Sequence, residues 1–127
     1  MYRDGVSDGQ FQEVLNKELP SIKSALEMHG YPDVKVAIVI CMKRHHTRLV
    51  YQEGGSFINP CPGLCVDSSG GNKSIVSAAV NEFYLNSHTA ILGTSRPCRY
   101  VLIHDEIGFK ISELELLSYW STFLYCR

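Results

Sequence analysis

The feature that most constrains this chain is residues 34–42, which are apolar except for Lys35. A nearly unbroken apolar run of this length is typical of a strand that is covered on both faces. Such strands occur in sheets that carry helices on both sides, so the run favours a layered fold over a sheet with one face in water.

Two helices are predicted around this strand, over residues 9–28 and 111–125, from apolar residues at helical spacing. Pro20 is expected to kink or restart the first helix. Ser112, with Glu115 three residues later, is the predicted N-cap of the second. Further strands are predicted at residues 64–66, 80–85 and 100–104, with extended structure resuming at 48–51. This alternation implies an α/β fold, and its unfinished edges suggest a piece of a larger domain.

Six polar residues follow the central strand: Lys43, Arg44, His45, His46, Thr47 and Arg48. Sites in α/β sheets lie at the carboxyl ends of strands, and a cationic rim there suits an anionic polymer. One of the two histidines is expected to turn inward, because neighbouring side chains on an extended segment point opposite ways. The alternative is a solvated turn whose charges only keep the loop in water.

The chain has 127 residues, enough for one domain, and a net charge of −1. Any binding to nucleic acid must therefore come from local clusters of Lys and Arg, not from bulk charge. No run is long enough to span a membrane, and we expect no membrane partner. Five cysteines and a polar start favour reduced thiols in the cytoplasm or nucleus. Zinc binding by Cys61 and Cys65 with the two histidines is disfavoured by the wide Cys spacing.

Five blocks of the sequence resemble the Argonaute family, in the same order. The segment YRDGVSDGQF at residues 2–11 is similar to the segment around the second catalytic aspartate. KRHHTRL at residues 43–49 closely resembles a block of the eukaryotic Argonaute Piwi domain. FYLNSH at residues 83–88 and GTSRP at residues 93–97 resemble two further blocks. Residues 62–67 match the loop that precedes these two blocks, and the residues from 113 onward resemble the helix that follows them.

The resemblance implies a partial ribonuclease-H-like fold with a mixed sheet and flanking helices. Residues 1–127 would be the C-terminal part of a Piwi domain, incomplete at both ends. The family cleaves RNA under the direction of a guide, with carboxylates and a His that hold two divalent ions, usually Mg²⁺ or Mn²⁺. Asp4 aligns with one of these catalytic, metal-binding carboxylates. The other Asp and Glu would lie before Met1, and the His after Arg127.

One carboxylate binds Mg²⁺ weakly, and two-metal hydrolysis needs several. We therefore expect no tight metal binding and no cleavage by the isolated chain. Without the family, Asp4 is a turn or N-cap residue beside Gly5.

The resemblance also implies contacts to the guide RNA, and phosphate contacts supply affinity without reading sequence. The implied contact residues are Lys43, Arg44, His46, Arg48, Ser87, His88, Thr94, Ser95, Arg96, Tyr125 and Arg127. The alternative for the residues around Gly93 is a polar loop with internal hydrogen bonds. Trp120 is predicted to lie in the core, and Phe83 and Tyr84 are predicted to divide between core and surface.

These expectations lead to three functional hypotheses. The first is RNA binding guided by a small RNA in gene silencing, with guide and target RNA as partners and cleavage only if the parent protein carries the whole tetrad. The second is a protein-interaction fragment that docks tryptophan-containing silencing proteins through Tyr31 and the end of the first helix, or a non-slicing Argonaute. The third is a truncated product that folds poorly alone, because an open sheet leaves edges and apolar faces uncovered.

Overall fold

The computed structural model describes residues 1–68 and 81–124. A five-stranded sheet has the order β1-β2-β7-β6-β5. Its strands are β1 (Tyr2–Asp4), β2 (Ala37–Met42), β5 (Leu64–Asp67), β6 (Glu82–Asn86) and β7 (Cys98–Asp105). A separate hairpin pairs β3 (Tyr51–Glu53) with β4 (Ser56–Ile58). Because β1 runs parallel to β2 and the other neighbours are antiparallel, the sheet is mixed, as predicted.

The first helical segment is continuous but changes type along its length. A 3₁₀ turn (Asp8–Gln10) leads into α1 (Phe11–Glu13), a π-helical turn (Val14–Glu18) and α2 (Leu19–Met28). Pro20 lies in the first turn of α2, directly after the π turn. Proline has no N–H to donate to the preceding turn. The α-helical hydrogen bonding therefore restarts here, after a π-helical turn with its longer i→i+5 hydrogen bonds. The predicted restart is thus confirmed.

The second predicted helix is α3 (Ile111–Ser121), but its N-cap is Lys110 and not Ser112. The Lys110 N–H donates to Glu113 Oε2 at 3.0 Å, so Glu113 has the role that was predicted for Glu115. The Asp105 carboxylate accepts hydrogen bonds from the N–H groups of residues 107–109, which fixes the turn before the helix. Because of that turn, the N-cap lies two residues before Ser112, the residue that the Ser-x-x-Glu pattern indicated.

The predicted strands are present with shifted ends. β2 begins at Ala37. The Val36 N–H before it donates to Glu106 Oε2 at 2.8 Å, and the Val36 carbonyl oxygen accepts the Glu106 N–H at 3.1 Å. Of residues 48–51, only Tyr51 enters a strand. The strand predicted at 80–85 is β6, and residue 80 lies outside the described residues.

The described residues form core clusters on both faces of the sheet. Ile38 and Ile40 face α1 and α2, whereas Val39 faces the side on which Leu114 of α3 packs. The central strand is therefore covered on both faces, as its apolar run predicts. No helix in the described ranges has the length and hydropathy to cross a membrane.

Two predictions about aromatic residues are wrong. Phe83 and Tyr84 are both buried, because they point to opposite faces of a strand that is covered on both sides. Trp120 is 64 % exposed. The face of α3 that carries Leu114 and Ser118, four residues apart, is buried. Trp120 follows Ser118 by two residues, and a step of two residues along a helix turns a side chain to the opposite face.

Candidate nucleic-acid interface

The predicted contact residues that the structure describes converge on one edge of the sheet, which we call the strand-end edge. β1 and β2 are parallel, and both end there, at Asp4 and Met42. β6 runs in the direction of β2 and also ends there at Asn86, while β7 begins there at Cys98. The segments that follow or precede these ends carry the polar blocks at 43–48, 87–88 and 94–97, so strand topology brings together residues far apart in sequence.

Asp4 lies at this edge against Lys43. The Asp4 Oδ2 atom is 3.2 Å from Lys43 Nζ, and its Oδ1 atom accepts the Gly5 N–H at 2.8 Å. The hydrogen bond from Lys43 is the main cause that lowers the pKa of Asp4, with the Gly5 N–H also contributing. The turn after Asp4 needs Gly5 at φ +78°, a region that residues with a Cβ rarely adopt. Both charged side chains are more than half exposed.

His45 is the histidine that turns inward, and His46 remains exposed. His45 Nε2 lies 2.8 Å from the Pro97 carbonyl oxygen, and its ring packs edge-on against Tyr84 at 5.2 Å. Because a carbonyl only accepts, Nε2 carries the proton. Nδ1 is buried without a hydrogen-bond partner. Burial is the main cause that lowers the pKa of His45, since an imidazolium here would bury a second, unpaired N–H.

The two arginines of the cationic block differ in their hydrogen bonding. Arg48 folds onto its own loop, where its NH1 atom donates to the carbonyl oxygens of Thr47 at 2.7 Å and His45 at 3.2 Å. Arg44 is exposed, and the described residues provide no hydrogen bond to its side chain. Arg48 thus orders the loop, whereas Arg44 is available to a ligand.

Asn59 holds the 93–96 loop through two hydrogen bonds, a role that the sequence analysis missed. Asn59 Nδ2 donates to the Gly93 carbonyl oxygen at 2.8 Å, and its Oδ1 accepts the Ser95 N–H at 2.9 Å. Thr94 and Arg96 are exposed as a result, but Ser95 is only 4 % exposed. A lone Asn before a proline gives no sequence signal of such a role.

Ser87 and His88 lie just after β6, and the Ser87 hydroxyl contacts His88 Nδ1 at 2.8 Å. The His88 ring is 5.5 Å from that of Phe123, after the end of α3. Ser87 lines a cavity of about 370 Å³ that also holds Asp4 and Lys43. The predicted contacts at Tyr125 and Arg127 lie outside the described residues.

A second feature that sequence reasoning missed is the ion-pair junction at Arg99. Its guanidinium contacts the buried Glu82 carboxylate and, through NH1, Asp8 Oδ1 at 2.8 Å. This junction connects β6 and β7 to the 3₁₀ turn that follows Asp4. Asp8 is exposed, but it is also engaged in this pair.

The donor groups of the described residues do not meet the needs of a divalent ion. Within residues 1–68 and 81–124, no group of three or more His, Cys, Asp and Glu side chains is arranged to hold a metal. Asp4 offers one carboxylate, and its nearest charged partner is an ammonium. Hard cations such as Mg²⁺ take six oxygen ligands and usually rely on more than one protein carboxylate or on phosphates. These residues alone do not fit a magnesium or manganese site.

Comparisons with known proteins agree with this geometry. The Piwi domain family profile matches residues 1–127. The chain is 39 % identical over 130 residues to protein argonaute 2 of Oryza sativa subsp. japonica, with 99 % of this chain and 12 % of that protein aligned. It is 40 % identical over 135 residues to protein argonaute 5 of Arabidopsis thaliana, covering 99 % and 13 %. The chain thus spans about an eighth of the length of these relatives.

Solved structures show the same fold. The C-terminal lobe of a budding yeast Argonaute matches with a TM-score of 0.75 and 29 % identity, over 90 % of this chain and 25 % of that one. Kluyveromyces polysporus Argonaute with a guide RNA matches with a TM-score of 0.73 and 29 % identity, over 91 % and 14 %. Because such lobes have a ribonuclease-H-like fold, the fold expected from the sequence is confirmed.

Proposed function

Because this chain belongs to the Piwi domain family of Argonaute proteins, we propose that it is the part of a small-RNA-guided silencing protein that holds the guide backbone along the strand-end edge. The observation that carries the proposal is the convergence there of Lys43, Arg44 and Arg96, all exposed, in a chain of net charge −1. A similar structure is described as an Argonaute with a guide RNA, which supports a small guide RNA as the partner.

The edge suits a phosphate backbone in chemical terms. Arg pairs with phosphate oxygens through its planar fork, and Lys supplies a point charge. Arg44 and Arg96 need no rearrangement, since their side chains have no hydrogen-bond partner among the described residues. Lys43 would leave Asp4 to reach a phosphate, and Arg48 would exchange loop carbonyls for phosphate oxygens. We therefore assign more of the affinity to Arg44 and Arg96 than to Lys43 and Arg48.

Cleavage of target RNA is a property that we propose only for a parent protein with further metal ligands. The sequence resemblance implies a metal-binding role for Asp4 alone, and within residues 1–68 and 81–124 its neighbours do not complete a metal site. We expect the purified chain to leave RNA intact in Mg²⁺ or Mn²⁺. Metal-dependent cleavage that Asp4→Ala abolishes would overturn this expectation.

The binding proposal is tested by the salt dependence of affinity for a 5′-phosphorylated single-stranded RNA, followed by fluorescence anisotropy. Each phosphate contact adds about 0.7 to the slope of log K against log salt for single strands. Arg44→Ala and Arg96→Ala should each weaken binding and reduce the slope by about that amount. Lys35→Ala is the matched control, because Lys35 is exposed before the start of β2, at the opposite edge. Equal losses in all three variants would contradict a site at the strand-end edge.

A second candidate function is docking of tryptophan-containing silencing proteins, which is favoured by exposed apolar residues at the end of the first helix. Met28 and Tyr31 are 83 % and 61 % exposed there, and they precede β2, away from Lys43 and Arg44. A tryptophan-containing peptide should lose affinity for Tyr31→Ala and retain it for Arg44→Ala. The reverse pattern would assign peptide binding to the cationic edge and reject this surface.

A further inference from the structure

Two cysteines with no part in the proposed RNA contacts meet beside the strand-end edge. Cys41 lies on β2 opposite Tyr100 of β7, and Cys98 is two residues before Tyr100 on the same strand. Facing residues of an antiparallel pair share a face, and residues two apart on one strand do so as well. Cys41 and Cys98 are therefore diagonal neighbours on the face that α3 covers.

Both cysteines pack against the same cluster around Val39 and Leu114, and both thiols are free and half-buried. The Cys98 Sγ atom lies 3.8 Å from the Arg99 carbonyl oxygen. Each cysteine is the main cause of the other's pKa shift, which raises the pKa of Cys41 and lowers the pKa of Cys98. The ladder between β2 and β7 stops at the pair Met42–Arg99, one residue beyond Cys41 and one before the level of Cys98. Diagonal neighbours on paired strands have Cα atoms about 7–8 Å apart, whereas a disulfide needs Cα atoms less than about 7 Å apart. The end of β2 and the start of β7 must therefore move closer for the sulfurs to bond, which the end of the ladder at this level permits.

The pair is also accessible. Both cysteines line the cavity of about 370 Å³ that Asp4, Lys43 and Ser87 share. The Asp4 and Lys43 side chains are 60 % and 68 % exposed, so the cavity opens at the edge of the sheet. A small disulfide can therefore reach both thiols through this opening. A metal site is not supported, because no third His, Cys, Asp or Glu of the described residues completes a ligand group.

We propose that Cys41 and Cys98 form a redox-active dithiol that low-molecular-weight disulfides oxidise to an intramolecular disulfide. One thiol, as its thiolate, attacks a sulfur of the small disulfide, forms a mixed disulfide and releases one small thiol. The second cysteine then attacks the protein sulfur of that mixed disulfide, closes the Cys41–Cys98 bond and releases the second small thiol. The two cysteines lose two protons and two electrons, and both small thiols carry them away.

Strand pairing connects these two cysteines to the proposed RNA-binding edge. Cys41 is the ladder partner of Asp4, and Lys43 lies two residues after Cys41, just past the end of β2. Closing the disulfide draws the end of β2 toward the start of β7, which moves Lys43 relative to Asp4. A change in RNA affinity on oxidation rests on the proposed function, whereas disulfide formation itself does not.

The test uses the purified protein with oxidised glutathione and, as a smaller probe, 2-hydroxyethyl disulfide. Mass spectrometry should show loss of two hydrogen atoms, and proteolysis without reductant should yield a peptide that joins Cys41 to Cys98. Cys61→Ser should leave this product unchanged, because Cys61 is exposed and apart from the pair. Cys98→Ser should instead stop at a mixed disulfide or not react. If Cys41 and Cys98 stay reduced with both probes, or each carries a separate adduct, the proposal is overturned.

The wild-type peptide map decides the question even if a cysteine variant folds poorly, since it needs no variant. RNA affinity is then measured on the oxidised and the reduced protein, with reduction by dithiothreitol as the reversal. We expect at least a twofold change that dithiothreitol reverses. A cross-link without any change would retain the dithiol and reject its link to the RNA edge, whereas RNA binding without a cross-link would reject the dithiol and retain the proposed function.

Discussion

Lys43 Nζ lies 3.2 Å from Asp4 Oδ2, so the carboxylate that the sequence analysis predicted to bind a metal is held by an ammonium. The pair joins the ends of two parallel strands that are separated by more than thirty residues of sequence. It links the predicted catalytic position to the cationic block in a single contact. The two residues are therefore not independent, and changing either alters the electrostatic environment of the other.

Lys43→Met should raise the pKa of Asp4 toward its ordinary value of 3.8, because the lysine hydrogen bond is the main cause of its lowering. A lowered carboxyl pKa adds stability above the ordinary value and loses it as the pH falls through the folded-state pKa. Since both side chains are largely exposed, the stability change at neutral pH should stay below about 1 kcal/mol. NMR titration of the Asp4 carboxyl carbon measures the shift. Lys17→Met, which breaks the exposed pair with Glu13, should leave Asp4 unchanged.

The half-buried His45 should make stability fall as the pH decreases below about 6.5. Its folded-state pKa is lowered from 6.5, so the unfolded chain takes up the proton first and gains stability relative to the folded protein. The slope from this one group is limited to about 1.4 kcal/mol per pH unit. Urea unfolding between about pH 5 and 7.5 should show the slope in the wild type and lose it in His45→Phe. His46→Phe is the control, and an equal loss of slope there would reject the assignment.

Glu106 should supply stability that disappears in acid. Its pKa is lowered from 4.5 to about 2, first by the hydrogen bond from Lys23 and then by the Val36 N–H. The stabilisation is complete above about pH 4.5 and is lost as the pH falls toward 2. Glu106→Gln should be less stable than the wild type at pH 7, and the difference should shrink in acid solution. Glu27→Gln, on the exposed side of α2, should show neither effect.

Leu114 should anchor α3 to the sheet. It is 1 % exposed and packs in the cluster with Val39, Phe83 and Leu85, so Leu114→Ala should cost about 2–5 kcal/mol in the free energy of unfolding. Leu116→Ala, at a position 58 % exposed, should cost far less. Chemical denaturation followed by circular dichroism compares the two. Similar losses would mean that α3 does not dock as described.

The parts of the structure that could be predicted from sequence are those fixed by local pattern. The apolar run before Lys43 predicted a strand that is buried on both faces, and Ile38 and Val39 confirm it on opposite sides. Alternation along an extended segment predicted one inward histidine, which is His45. By contrast, Ser112 failed as an N-cap because the Asp105 turn, a neighbouring structure, sets where α3 begins.

The sequence by itself determined the two main helices, the central strands, the cationic block and the family, because periodicity, residue chemistry and ordered motifs are local properties of the chain. Only the tertiary structure decided which residues come together: Asp4 with Lys43, Asn59 with the 93–95 loop, and Cys41 with Cys98. It also decided that Trp120 is exposed and Tyr84 buried. Each of these depends on strand order and register, and strand pairing joins segments whose separation along the chain leaves no local signal.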